Sequence, residues 1–131
     1  MLPEDISLHG AGITAVERNG RDIVLHVEHV QVPRADGTPL VPADDDMEMA
    51  TGTVTIAGVR AILLNDEPVA DFRMASDSCE IIHLEWRGPG RAEAFIIWHV
   101  HGPLKAQIYS HYQFECDDLR WTQTGLMLPE A

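Results

Sequence analysis

His99 and His101 stand one residue apart on an apolar strand pattern, "AFIIWHVHGP", and His111 follows ten residues later. Imidazoles at i and i+2 of a strand project from one face, where a third donor could complete a metal site. Cys79 is the candidate third donor. The strand patterns at 79–87, 92–101 and 105–116 predict an antiparallel meander, and an apolar face common to all three fixes its register. The odd-length loop 102–104 then sets His101 opposite Lys105, His99 opposite Gln107 and Phe95 opposite His111. A loop at 87–91 sets Trp86 opposite Ala92, Leu84 opposite Ala94 and Ile82 opposite Ile96. On the other face the same register pairs Cys79 with His99, Ile81 with Ile97, His83 with Phe95, and Glu85 with Glu93.

That arrangement predicts a cluster of Cys79, His99 and His101 at one end of the sheet, with Asp77 as a fourth ligand or base. Thiolate, imidazole and carboxylate together suit a zinc-like divalent ion, and an open coordination position would activate water. His111 lies four residues further along the strand direction, about 13 Å away at roughly 3.3 Å per residue, so it belongs to a different place. No glutamate follows the His-x-His pair within "HVHGPLKAQ". One feature opposes the register: Glu85 facing Glu93 is a like-charge pair, which Arg87 or Arg91 would have to offset.

Between the two histidine positions, Ile81, Phe95, Ile97 and Tyr109 form an apolar stripe, flanked by His83 and His111. A stripe of this kind on an otherwise polar face marks a surface that something covers: a loop, a second copy of the chain or a partner. Other chemistry is not encoded. There is no Gly-x-Ser-x-Gly elbow, no phosphate-binding glycine loop, and Asp44, Asp45 and Asp46 lack the spacing of a calcium loop. The repeated His-x-Glu spacings, His26 with Glu28 and His83 with Glu85, would form a joint cluster only if their strands were neighbours. His29 falls where Val30 and Val32 break the alternation, and marks an irregular strand.

The elements that must position these residues are strands. Segments 6–17 and 22–32 read as a hairpin about Asn19-Gly20, with a bend at Gly10 and Gly12. Residues 33–50, with three prolines and an acidic run, read as a long irregular connection. A strand at 51–59 follows, then a strand, a turn at Asn65-Asp66 and a second short strand within 60–75, and a final short strand near 119–123. About seven to nine strands without an amphipathic helix predict an all-β fold, an antiparallel sandwich or partly open barrel. The 131 residues fit a single β domain.

With 21 acidic against 9 basic residues and a formal charge of −12, the chain repels phosphate backbones and attracts basic partners. Nucleic-acid binding is therefore not expected. No apolar run approaches the ~20 residues of a membrane span, and the N-terminal segment lacks the pattern of a signal peptide, so a cytoplasmic protein is expected. Cys79 and Cys116 are too far apart in sequence for a Cys-x-x-Cys motif and are expected reduced. No residue pattern carries a resemblance to a known family.

The primary expectation is a non-enzymatic interaction module without a cofactor, binding a protein partner, a basic one by charge, in an inhibitor or immunity-type role. A homodimer through the same face is also open. A metal-dependent enzyme at Cys79, His99, His101 and Asp77 is the first alternative. A ligand-binding barrel with Phe95, Ile97 and Tyr109 around its pocket is the second.

Overall fold

A computed structural model describes residues 2–33, 47–102 and 106–127. Among these residues, nine antiparallel strands make two sheets: β1 (Gly12–Asn19), β2 (Asp22–Pro33), β3 (Met47–Ala57) and β9 (Asp118–Leu126) in the order β1-β2-β3-β9, and β4 (Ala61–Leu64), β5 (Glu67–Val69), β6 (Cys79–Trp86), β7 (Arg91–Val100) and β8 (Ala106–Glu115) in the order β5-β4-β8-β7-β6. The fold is all-β and sandwich-like rather than a closed barrel, with no helix among the described residues. Among them, no helix is long and apolar enough to cross a membrane.

Alternation makes the layers. Along β7 the residues Ala92, Ala94, Ile96 and Trp98 are buried, and Glu93, Phe95, Ile97 and His99 between them are half-buried. The inner faces meet in one core whose largest fully buried side chains include Trp98, Phe114, Ile23, Leu25, Ile56 and Ile96. Phe72, in the connection before β6, closes one side of this core with its ring 4.5 Å from that of Tyr112. The Trp98 indole, fully buried, donates its N–H to the hydroxyl of buried Ser110 at 3.0 Å. This matters because an indole N–H left without a partner in such a place costs about 1–3 kcal/mol.

The sheets are joined at a corner by a two-stranded ribbon. The β3/β9 ladder ends at Ala57 opposite Asp118, and the β4/β8 ladder begins at Ala61 opposite Glu115. Backbone bonds from Asp117 to Ala57 and from Arg60 to Glu115 carry the pairing across the bend. Both strands thus change sheets side by side, a standard way of turning a sandwich corner.

Several local expectations are met and several are corrected. The first hairpin forms, but its central turn residues are Gly20 and Arg21, one position later than Asn19-Gly20, because Asn19 pairs with Asp22. Gly20 alone takes positive φ there (61°), as a turn with glycine at its first central position requires. At Asn65-Asp66 both residues take positive φ, 51° and 69°, between β4 and β5 as expected. The bend at Gly10 is also present: Gly10 and Ala11 bond to Ile81 on β6, and from Gly12 onward the chain pairs with β2 instead. That crossover covers the outer edge of β6, which would otherwise offer unpaired backbone groups.

Of the segment 33–50, expected to be irregular, Pro33 belongs to β2 and residues 47–50 to β3. Its acidic run, Asp44 to Asp46, lies outside the described residues, as does Lys105. His29 carries φ 60° at a β2 bulge between Val27 and Val30, the irregularity that the broken alternation marks.

Candidate functional site

The outer face of the five-stranded sheet is built by β6, β7 and β8. Between β7 and β8 the register is as expected: Phe95 opposite His111, His99 opposite Gln107 and Glu93 opposite Gln113. The upper half of the β6/β7 ladder also agrees, pairing Trp86 with Ala92, Glu85 with Glu93 and His83 with Phe95. Below that the register shifts. A bulge between Ile81 and His83 inserts one extra residue, so Ile81 pairs with Ile96, Glu80 with Ile97 and Cys79 with Trp98.

One extra residue turns every side chain beyond it to the opposite face. Ile81 therefore leaves the outer stripe and is fully buried in the core. Cys79 turns inward as well; its sulfur accepts the Ile13 backbone N–H from the other sheet at 3.3 Å, and burial pushes its thiol pKa up. The expected ligand set is thereby split. Cys79 is separated from His99 and His101, whereas His101 and Asp77 do meet, Nε2 to carboxylate 3.3 Å, in an exposed position. A half-buried thiol held protonated is a poor metal ligand, because the thiolate is the binding form.

Strand pairing also separates the two His-x-Glu motifs, since β2 and β6 belong to different sheets. His26 bonds to Glu17 on its own sheet at 3.0 Å. Phe95, Ile97 and Tyr109 lie on the outside of a sandwich whose interior is filled by Trp98, Phe114 and their neighbours, so they do not line a barrel cavity.

What the outer face does assemble centres on Glu93. In the ladder Glu93 sits opposite Glu85 and Gln113, which places His83 and His111 on its two diagonals, within reach of a long side chain. The Nε2 atoms of both imidazoles reach the same carboxylate: His83 to Oε1 at 2.9 Å and His111 to Oε2 at 3.0 Å. An ionised carboxylate only accepts, so both rings donate through Nε2. Arg87, from the β6/β7 turn, adds two N–H donors to Oε1 at 2.8 and 3.1 Å and also reaches Glu85 at 3.2 Å. The like-charge pair that opposed the register is thus bridged by a guanidinium.

The electrostatics follow from this geometry. Hydrogen bonds from Arg87, then from His111 and His83, hold the Glu93 carboxyl far below its usual range, at about 2, against a smaller opposing effect of burial. Its side chain is 18% exposed, less than either histidine. Phe95 fills the space between the imidazoles, its ring centroid 6.0 Å from that of His83 and 5.7 Å from that of His111. Three rings in a row across three strands are therefore fixed from below by the sheet and from one side by a single carboxylate.

Two depressions flank this row. One, of about 440 Å³, lies over Leu63, Gln113 and Glu93 with Arg87, Arg91 and Glu115 around it. The other, of about 640 Å³, lies among His99, His101, Gln107 and Tyr109. Tyr109 is 54% exposed beside it. No family model matches this chain, and no curated protein or solved structure matches it either.

Glu93 is the residue that sequence reasoning missed. It carried a signal: in the expected register it lies diagonal to both His83 and His111, and paired acids in a sheet demand a cation nearby.

Proposed function

We propose that the chain is a non-enzymatic interaction module whose docking surface is the outer face of β6, β7 and β8, and that its partner is a protein with a basic contact surface. The observation that carries this reading is the row His83, Phe95, His111 held on one Glu93 carboxylate. An aromatic row fixed before binding loses little conformational entropy on docking, and rigid aromatic anchors dominate the energetics of protein interfaces. Tyr109 and Ile97 extend the row, and the adjacent depressions would accept side chains of the partner.

The state of Glu93 argues for binding rather than catalysis. A carboxylate that protonates only near about 2 is a feeble proton acceptor at neutral pH, where a general base works best with a pKa close to the operating pH. The formal charge of −12 favours a basic partner through long-range attraction.

The test is affinity capture with the immobilised full chain, comparing wild type, Phe95→Asp and Tyr109→Asp, in low salt and in about 0.5 M salt. The reading expects a protein retained by wild type, lost from both variants and weakened by salt. Retention of the same proteins by all three, or retention indifferent to salt, would contradict it.

A further inference from the structure

We propose that His83, Glu85 and Glu93 form a binding site for one divalent ion of the zinc type, in which Arg87 sits as a tethered cation that the ion displaces. This goes beyond the docking reading and does not depend on it.

The ligands converge. One donor atom from each of His83, Glu85 and Glu93 lies within 4.8 Å of the other two, and among the described residues this is the one group of three such side chains so placed. A zinc ion holds nitrogen and oxygen ligands at about 2.0–2.2 Å, so donors around one ion stand roughly 3–4 Å apart; the ion would replace the present 2.9 Å hydrogen bond between His83 Nε2 and Glu93, with the neutral imidazole keeping its proton on Nδ1. One imidazole and two carboxylates favour zinc and similar transition ions over magnesium, which prefers oxygen and water alone. Three protein donors leave a position for water.

The surroundings fit the same role. His111 donates to the oxygen of Glu93 that His83 does not use, at 3.0 Å, so it is a positioning residue that orients a ligating carboxylate. Glu85 and Glu93 face each other across the ladder, an arrangement unfavourable without a cation between them. Arg87 supplies that cation now, 3.2 Å from Glu85 and 2.8 Å from Glu93, from a side chain that is half exposed. Its turn contains Gly88 and Gly90, both at positive φ, and Arg87 itself lies just outside β6 and β7.

Displacement gives the proposal its distinctive signature, because removing Arg87 must tighten binding, whereas loss of a purely structural residue would not. The experiment is isothermal titration of the full, untagged chain with zinc chloride, and separately with magnesium chloride, after chelator treatment and dialysis at neutral pH. Wild type is expected to take up one zinc ion per chain and no magnesium. His83→Ala and Glu85→Gln are each expected to weaken zinc binding about tenfold or more, and Arg87→Ala to strengthen it severalfold. Glu85 is 47% exposed, so Glu85→Gln keeps the fold, which far-ultraviolet circular dichroism verifies. Absence of saturable zinc binding in both wild type and Arg87→Ala overturns the proposal. So does binding that survives His83→Ala and Glu85→Gln but is lost in His101→Ala, which would place the ion at Asp77 and His101. An Arg87→Ala affinity equal to or below wild type overturns the displacement.

Discussion

His111 on β8 and Glu93 on β7 meet diagonally across the sheet, Nε2 to Oε2 at 3.0 Å, on the side of the carboxylate that Arg87 and His83 leave free. The two strands are thereby tied by side chains as well as by the ladder. Because Glu93 protonates at about 2 in the fold rather than near its ordinary 4.5, the cluster contributes stability that is complete above about 4.5 and is lost as the pH falls towards about 2. Glu93→Gln is expected to lower stability by about 1–2 kcal/mol at neutral pH, the lower part of the linkage range since water surrounds Arg87. Urea unfolding as a function of pH checks this: the gap between variant and wild type should close by pH 2.

The Trp98 indole and Ser110 form a buried polar pair. Ser110→Ala leaves the indole N–H without an acceptor in the core and is expected to cost about 1–3 kcal/mol. Equilibrium denaturation measures it, and a cost near zero would mean that another acceptor takes over.

Gly52 on β3 lies under the Trp121 ring of β9, where an added Cβ would run into both the ring and the Thr122 carbonyl. Gly52→Ala should therefore push β9 outward and destabilise by about 1–3 kcal/mol. Gly125, where a Cβ would meet only Thr51 Oγ1 at 3.4 Å, is the comparison; its alanine variant should lose less. Thermal unfolding of the two variants separates the cases.

Burial pushes the Cys116 thiol up to about 11 and Cys79 upward as well. Both thiols are free. In the native protein at pH 8 a thiol reagent should leave Cys116 untouched and modify half-buried Cys79 slowly, with both reacting fully only in denaturant. Rapid native modification of two thiols would contradict this packing.

The strand content and the β7/β8 pairing were legible because β-branched and aromatic residues fill both strands and only an odd loop aligns their apolar faces. The lower half of β6 was not, and the reason is local. Ile81 and Ile82 are adjacent apolar residues, a break in alternation like the one that marks His29 in β2, and at both places the chain inserts a bulge. Reading that doublet as a bulge would have turned Cys79 into the core and dissolved the metal cluster built on it. Glu85 and Glu93, counted against the register, are the pair that Arg87 bridges and around which His83 and His111 gather. Which strands lie beside which could not be read from alternation, so the separation of His26 from His83 came only with the sheet order.

The proposed docking surface is the outer face of β6, β7 and β8. Amide and aromatic NMR shifts of the isotopically labelled chain, recorded while the captured partner is added, test it most directly. Perturbations are expected to concentrate at His83, Phe95, Ile97, Tyr109 and His111. Perturbations confined to the β1-β2-β3-β9 sheet would contradict it.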